Sequence, residues 1–286
     1  MTAEVAIPGT ARVGEGPVWD PGLRRLHWVD IPAGLIHTSD PATGLTTSLR
    51  LPTQVGAAVP RRGGGGFVAA TAEGFASVDA DGSMTTRRAF LPAGERMNDA
   101  KCDRQGRFWA GSTALDFRPG SGALHVLLPD WTSHVLLEGL TLPNGLGWSP
   151  DGRTFYLADS IAGEIYAFDT TDDAPWISRR RTLVRLPAHT GMPDGLTVDS
   201  AGCLWVALWG GARVARISPD GDLLGGIPLP VRQPSSCTFG GPRLDALYVT
   251  SAREGLELPG DDPAGSVFVV DEMGGAVGLP SATFAG

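Results

Sequence analysis

One short pattern recurs six times along the chain and restricts the fold more than any other feature. In each repeat, a turn rich in Asp, Gly or Pro precedes a short apolar segment. Successive segments begin 41, 41, 47, 49 and 43 residues apart. Internal repeats of this length are typical of solenoids and ring-shaped folds. The segments are Leu26–Asp30, Phe67–Thr71, Phe108–Ser112, Phe155–Asp159, Leu204–Leu208 and Leu247–Ser251.

Each apolar segment is followed by a turn and a second alternating segment, such as Glu164–Phe168 or Arg213–Ile217. Short alternating segments with almost no helical periodicity indicate an all-β fold. Four strands in a repeat of about 40 to 50 residues are typical of a propeller blade. The sequence therefore predicts one all-β domain over residues 1–286, a six-bladed β-propeller with four antiparallel strands per blade. Residues 1–10 are the candidate for the strand that closes the last blade.

Composition excludes several classes of partner. The chain has 23 Lys and Arg against 31 Asp and Glu, a formal net charge of −8, which disfavours nucleic acid and anionic membranes. Cys102, Cys203 and Cys237 are too few and too far apart for a disulfide framework. The N-terminus lacks the basic start of a secretory signal. We therefore expect a cytoplasmic protein, either a monomer or a small homo-oligomer.

Equivalent positions of the innermost strands should form a ring around the propeller axis. In chain order these positions are Glu15, Val55, Asn98, Asn144, Asp194 and Ser235. Two carboxylates on one axis repel each other unless a proton or a cation lies between them. The ring therefore predicts an oxygen-only site for one divalent cation, Ca²⁺, Mg²⁺ or Mn²⁺, with Zn²⁺ a poorer fit. The alternatives are a ring that only binds water and loop backbone, or a purely structural Ca²⁺.

The residues around the ring resemble the gluconolactonase family, which includes senescence marker protein 30 and luciferin-regenerating enzyme. The resemblance extends from about residue 12 to 280, in matching order and spacing. It departs from the family pattern at Met97 and Ala100, which leave the polar pattern intact. The motifs that carry it are Gly14–Trp19, Arg96–Lys101, Pro143–Gly145, Tyr156–Ser160 and Met192–Gly195.

This resemblance implies a metal-dependent lactonase that opens a small sugar lactone, an aldonolactone, in sugar catabolism. It implies Glu15, Asn144 and Asp194 as metal ligands, with Asp194 also directing or deprotonating the attacking water. Arg96 and Asn98 would contact the substrate. Asp116, which lies in a loop of variable length, would accept hydrogen bonds from sugar hydroxyls.

Two other functions remain open from the sequence. The same metal site could act on another ester, of the organophosphate type or a secondary-metabolite lactone, because substrate choice depends on variable loops. The chain could also be a non-catalytic propeller that binds protein partners. A Ser-His-Asp hydrolase is disfavoured, since none of the five histidines occupies a ring position. Asp30 and Asp159 end equivalent strands, where Asp more often caps a turn than serves a site.

Overall fold

The structure is a computed structural model that describes residues 2–271 and 273–286. Within these residues the chain forms short strands, one 3₁₀ turn (Ala188–Thr190) and no α-helix. The first twelve strands are β1 (Glu4–Ile7), β2 (Gly14–Asp20), β3 (Arg25–Asp30), β4 (Leu35–Ser39), β5 (Thr46–Arg50), β6 (Val55–Pro60), β7 (Phe67–Thr71), β8 (Gly74–Val78), β9 (Met84–Ala89), β10 (Glu95–Cys102), β11 (Phe108–Ala114) and β12 (Gly122–Leu127). The others are β13 (Ser133–Leu140), β14 (Pro143–Trp148), β15 (Thr154–Asp159), β16 (Glu164–Thr170), β17 (Ile177–Arg185), β18 (Met192–Val198), β19 (Leu204–Trp209), β20 (Arg213–Ile217), β21 (Leu223–Pro228), β22 (Pro234–Gly240), β23 (Ala246–Ser251) and β24 (Val267–Val270).

These strands form six antiparallel sheets of four. Five sheets are runs of consecutive strands that begin with β2, β6, β10, β14 and β18. The sixth has the order β1-β24-β23-β22, so the N-terminal strand is its outer strand. The innermost strands lie side by side around the axis, where β2 contacts both β6 and β22. This arrangement confirms the predicted all-β, six-bladed propeller.

Burial decreases from the axis outwards, as the strand sequences predict. The inner strands, such as β2 and β22, are buried over almost their whole length. The outer strands β9 and β17 are mostly exposed and carry several arginines. Charged outer strands protect the free sheet edges from pairing with another chain. The apolar core therefore lies between adjacent blades, in the inner and middle strands.

The last residues of the chain form a strap across one end of the central channel. At one side, Gly278 N donates to Leu244 O in the sixth blade. At the other side, Phe284 N donates to Pro60 O in the second blade, and Ala285 N donates to Gly106 O in the third. We call residues 278–285 the C-terminal strap, and the end of the channel that it crosses the far face. The ring positions lie at the opposite end, where the innermost strands begin.

Cys102, Cys203 and Cys237 are all buried free thiols, in agreement with the absence of a disulfide framework. Among the residues that the structure describes, no helix has the length and apolarity needed to cross a membrane.

Candidate metal and substrate site

The six innermost strands share an irregularity near their first residues. Each loses register with its neighbour there, for example between Glu15 and Val18 in β2 and between Pro193 and Leu196 in β18. Equivalent shifts occur in β6, β10, β14 and β22. A bulge of this kind bends a strand and re-aims a side chain. The shifts coincide with the predicted ring positions, which are all buried: Glu15, Val55, Asn98, Asn144, Asp194 and Ser235.

Glycines next to the ring let the inner strands approach each other closely. A Cβ built on Gly145 would overlap the carbonyl oxygen of Asp194, which belongs to the next blade. A Cβ built on Gly195 would overlap Ser236 in the blade after that. Because no side chain separates these strands, the ring residues of neighbouring blades come together at one end of the channel.

Two ring oxygens are buried without a hydrogen-bond partner. They are Oδ1 of Asn144 and Oδ1 of Asp194. Nδ2 of Asn144 donates to Ser160 Oγ at 3.2 Å, which orients the amide and leaves its oxygen available. A buried acceptor without a partner costs about 1–3 kcal/mol. These oxygens therefore require a cation or a hydrogen-bond donor beside them.

The chemistry of this donor set fits a hard divalent cation. The charge of Glu15 acts on Asp194, so the two carboxylates lie near each other. Together with the Asn144 amide they form an all-oxygen set, which Ca²⁺, Mg²⁺ and Mn²⁺ prefer. Over residues 2–271 and 273–286, no three His, Cys, Asp or Glu side chains form a metal-holding group. The set formed by Glu15, Asn144 and Asp194 is not a group of that kind, because the oxygen of Asn144 belongs to an amide.

Burial and mutual repulsion make the two ring carboxylates difficult to ionise without a cation. Burial, followed by the charge of Asp99, raises the pKa of Glu15 to about 8. A hydrogen bond of 2.8 Å from Gly16 N to Glu15 Oε2 acts in the opposite direction. Burial, followed by the charges of Glu15 and Asp99, raises the pKa of Asp194 well above its usual range. A cation between these groups would reverse both shifts.

Arg96 and Asn98 join the same cluster from β10. Burial lowers the pKa of Arg96 to about 10, against the opposing charges of Glu15 and Asp194, so the guanidinium remains protonated at neutral pH. Arg96 Nη1 donates to Asn98 Oδ1 at 2.6 Å, and Asn98 Nδ2 donates to Pro143 O at 3.1 Å. Both ends of the Asn98 amide are therefore engaged, unlike those of Asn144.

Asp116 differs from the ring residues in its exposure. Its side chain is 66% exposed and pairs with Arg118, Oδ1 to Nη1, at 3.2 Å. Arg118 also pairs with Glu95 at 3.2 Å, at the start of β10. Asp116 therefore belongs to a surface turn after β11 and not to the buried cluster. Its role as a substrate contact remains a prediction.

Sequence reasoning missed two charged residues of this cluster, Asp99 and Lys101. Both are on β10, and their charges act on Glu15. Burial raises the pKa of Asp99 to about 6, while Lys101 lowers it. A comparison of the six repeats could have identified Asp99. Four blades have Gly directly after the ring residue, whereas the third blade has Asp99 at that place.

Asp30 and Asp159 close the turns that precede two ring residues. The Asp30 carboxylate accepts hydrogen bonds from Arg12 N and Val13 N, at 3.0 and 3.2 Å. The Asp159 carboxylate accepts them from Thr141 N and Leu142 N, both at 2.9 Å. These aspartates therefore fix the entry of β2 and β14 into the ring.

Ser235 acts as a link between blades. Its hydroxyl donates to Gly14 O and lies 3.0 Å from Thr250 Oγ1. The sixth ring position thus ties the last blade to the first, and its oxygen is used for that contact.

Known proteins are similar to this chain in both sequence and fold. Residues 13–253 match the SMP-30/gluconolactonase/LRE-like region. Pentonolactonase XacC of Haloferax volcanii is 36% identical over 279 residues, which cover 95% of this chain and 94% of that protein. The structure of luciferin-regenerating enzyme superposes with a TM-score of 0.92 at 30% identity and covers 99% of both chains. The structure of regucalcin, a calcium-binding protein from Agrobacterium tumefaciens strain C58, gives 0.87 at 26% identity and covers 98% of this chain and 99% of that one. The chain therefore belongs to the SMP-30/gluconolactonase/LRE-like family, in agreement with the resemblance seen in its motifs.

Proposed function

We propose that this protein is a lactonase that hydrolyses a small sugar lactone at a site built around one divalent cation. The observation that carries the proposal is the pair of buried, unpartnered oxygens on Asn144 and Asp194, next to the Glu15 carboxylate. The similarity to a pentonolactonase supports a sugar lactone as substrate. The similarity to a calcium-binding regucalcin supports a divalent cation. Ca²⁺, Mg²⁺ and Mn²⁺ suit the donor set better than Zn²⁺.

Glu15, Asn144 and Asp194 would hold the cation through their side-chain oxygens. When bound, it would polarise the lactone carbonyl and lower the pKa of a water molecule. The proton transfers depend on the side chains of the protein. Asp194 accepts a proton from the attacking water, whose oxygen bonds to the carbonyl carbon. The ring C–O bond then breaks, the proton passes to the leaving ring oxygen, and the product is a hydroxy acid.

Arg96 stabilises the charge that develops on the carbonyl oxygen. Its guanidinium is held by its contacts with Asn98 Oδ1 and Met97 O, at 2.6 and 2.9 Å, and it has further N–H groups to donate. A fixed donor costs no reorganisation at the moment of reaction. Polar groups in this pocket favour a hydroxylated substrate over an apolar ester, which would leave them unpaired.

The test is a metal add-back experiment with aldonolactones. EDTA-stripped protein is assayed on glucono-, galactono- and xylonolactone, and single divalent metals are then restored. We expect Ca²⁺, Mg²⁺ or Mn²⁺ to restore hydrolysis of at least one lactone. Asp194→Asn should lose both turnover and metal affinity, measured by calorimetry, because the same carboxylate serves both.

The matched control is Asp199→Asn, since Asp199 is a buried aspartate that binds the Cys203 N–H and Trp205 Nε1 within the fifth blade. This variant should retain metal affinity even if its stability decreases. Full activity of the stripped protein, or of Asp194→Asn, would contradict the proposed function.

A further inference from the structure

The far face of the propeller contains a cavity that the lactone site does not use. Its volume is about 400 Å³, and it is lined by the ends of the innermost strands. These ends are opposite the ring, so the cavity and the ring occupy the two ends of one channel. Leu279, Pro280, Ser281 and Ala282 of the C-terminal strap form part of its wall.

Lys101 lines this cavity from β10. Lys101 is the only basic residue in the parts of the six innermost strands that run from the ring position to the far face, among the residues that the structure describes. Its ammonium group crosses from β10 to β18, where Nζ donates to Leu196 O at 2.7 Å. An ammonium group has three N–H donors, so this bond leaves two.

Two hydroxyl groups accompany Lys101 in the cavity wall. Thr197 on β18 and Thr238 on β22 both line it, together with the ring of Trp148. A cavity with one ammonium, two hydroxyls and an aromatic surface suits a small organic molecule with a polar, negatively charged end.

The side chains that line the cavity wall carry a small excess of positive charge. Four basic side chains face three acidic ones, although the chain as a whole has a net charge of −8. The basic side chains are Lys101, Arg104, Arg107 and Arg153, and the acidic ones are Asp103, Asp151 and Asp172. The guanidinium of Arg107 is already paired with Asp103 at 2.5 Å, so it is not free to bind a phosphate through two N–H groups.

We propose that the far-face cavity is a binding site for a small organic anion with one carboxylate group, anchored by Lys101 and assisted by the hydroxyls of Thr197 and Thr238. Arg104 and Arg153 are exposed and Arg107 is paired with Asp103, so Lys101 is the inner cationic group of the cavity. A single ammonium matches a monocarboxylate better than a phosphate, which needs more donors. Because Lys101 also faces Asp99 and Glu15, the two ends of the channel share this residue. The inference does not depend on the proposed lactonase activity.

The experiment measures binding of sodium gluconate to metal-free protein by isothermal titration calorimetry. Gluconate is used as a hydroxylated monocarboxylate, with inorganic phosphate as the comparison probe. We expect gluconate to bind with one site per chain and more tightly than phosphate. Lys101→Met should weaken gluconate binding about tenfold or more, because it removes the charged donor. The thermal midpoint of each variant shows whether it is folded.

Two further variants separate the far face from the ring. Arg96→Met removes the guanidinium group of the lactone pocket and should leave gluconate affinity within about twofold. Ser281→Trp places a large side chain in the strap and should also weaken binding. This variant carries the test if Lys101→Met does not fold. The proposal is overturned by an absence of gluconate binding, by preference for phosphate, or by loss of binding in Arg96→Met alone.

Discussion

At the level of single residues, Asn98 and Asn144 occupy equivalent ring positions but have different partners. Asn98 uses its oxygen for Arg96 and its NH₂ for Pro143 O, whereas the oxygen of Asn144 is unpartnered. The amides are chemically identical, so the difference arises from what the neighbouring blades place beside them. Asn144 is therefore suited to hold a cation, whereas Asn98 is suited to orient Arg96.

The raised pKa of Glu15 predicts how pH affects the metal-free protein. A carboxyl with a pKa of about 8 when folded, against 4.5 normally, binds more protons in the native state between those values. The contribution of Glu15 to the free energy of unfolding therefore falls as pH rises from about 5 to 8, by about 1.4 kcal/mol for each unit of pKa difference at most. Burial lowers the pKa of the histidines, His27, His37 and His125, which act in the opposite direction below about pH 6.5. Thermal midpoints in EDTA should therefore decrease from about pH 7 to 8, where histidine no longer titrates in the unfolded chain. A midpoint that increases with pH would contradict the raised pKa.

Added divalent cation and the variant Glu15→Gln serve as the two controls for that measurement. A cation that binds the ionised carboxylates should flatten or reverse the decrease, because it stabilises the charged form. Glu15→Gln should reduce the slope without a cation, since the amide does not titrate in this range. An unchanged slope in Glu15→Gln would show that another group causes it.

Arg96 and Asp116 should contribute unequally to substrate binding. Arg96 is half-buried beside the ring, whereas the Asp116 side chain is 66% exposed and paired with Arg118. We expect Arg96→Met to lower kcat/KM at least about 100-fold, as loss of one donor to the developing oxyanion does. Asp116→Asn should change KM by less than about threefold, because its contacts are screened by water. The measurement is steady-state kinetics with the lactone that the metal add-back experiment identifies. A larger effect of Asp116→Asn would mean that its turn closes over bound substrate.

At the level of strands, the site depends on two devices that occur together in the innermost strands. The bulges re-aim the ring side chains, and the adjacent glycines let the next strand approach. Neither device binds a ligand. Both are needed to gather oxygens from separate blades at one point.

Gly145→Ala tests the close approach of β14 and β18. The added methyl group would overlap the carbonyl oxygen of Asp194, so we expect a loss of about 1–3 kcal/mol in the free energy of unfolding. Metal affinity should fall as well, because Asp194 must shift. Gly260→Ala is the matched control, since a Cβ at Gly260 meets no atom within 4 Å. Urea denaturation and calorimetry measure the two effects, and equal stability of the two variants would contradict the close approach.

At the level of the whole molecule, the ring of blades is joined at both chain ends. The N-terminal strand β1 completes the sixth sheet, and the C-terminal strap joins the sixth blade to the second and third. Phe284 anchors the strap: it is fully buried among Val59, Phe75 and Phe108. A strap that crosses the channel restrains blades that are distant in sequence.

Phe284→Ala should therefore destabilise the whole propeller. Removal of a fully buried Phe side chain lowers the free energy of unfolding by about 3–5 kcal/mol. It also removes the edge-to-face contact with Trp131, whose ring centroid lies 4.9 Å from that of Phe284. Leu223→Ala, at a side chain that is 58% exposed, should change stability by less than about 0.5 kcal/mol. Urea denaturation measures both. A cost for Phe284→Ala as small as that of Leu223→Ala would mean that the strap is not part of the cooperative core.

The propeller and the membership of the ring could be predicted from the sequence by itself. Repeats of similar length with the same turn residues must place equivalent positions at equivalent depths, so Glu15, Asn144 and Asp194 were recognisable without coordinates. Tertiary structure alone decided which ring oxygens are free, that Asp116 is exposed, and that Lys101 joins the ring to the far-face cavity. The physical reason is that hydrogen bonds, burial and charge at each position depend on atoms from other blades, which are distant in sequence and meet only when the ring closes.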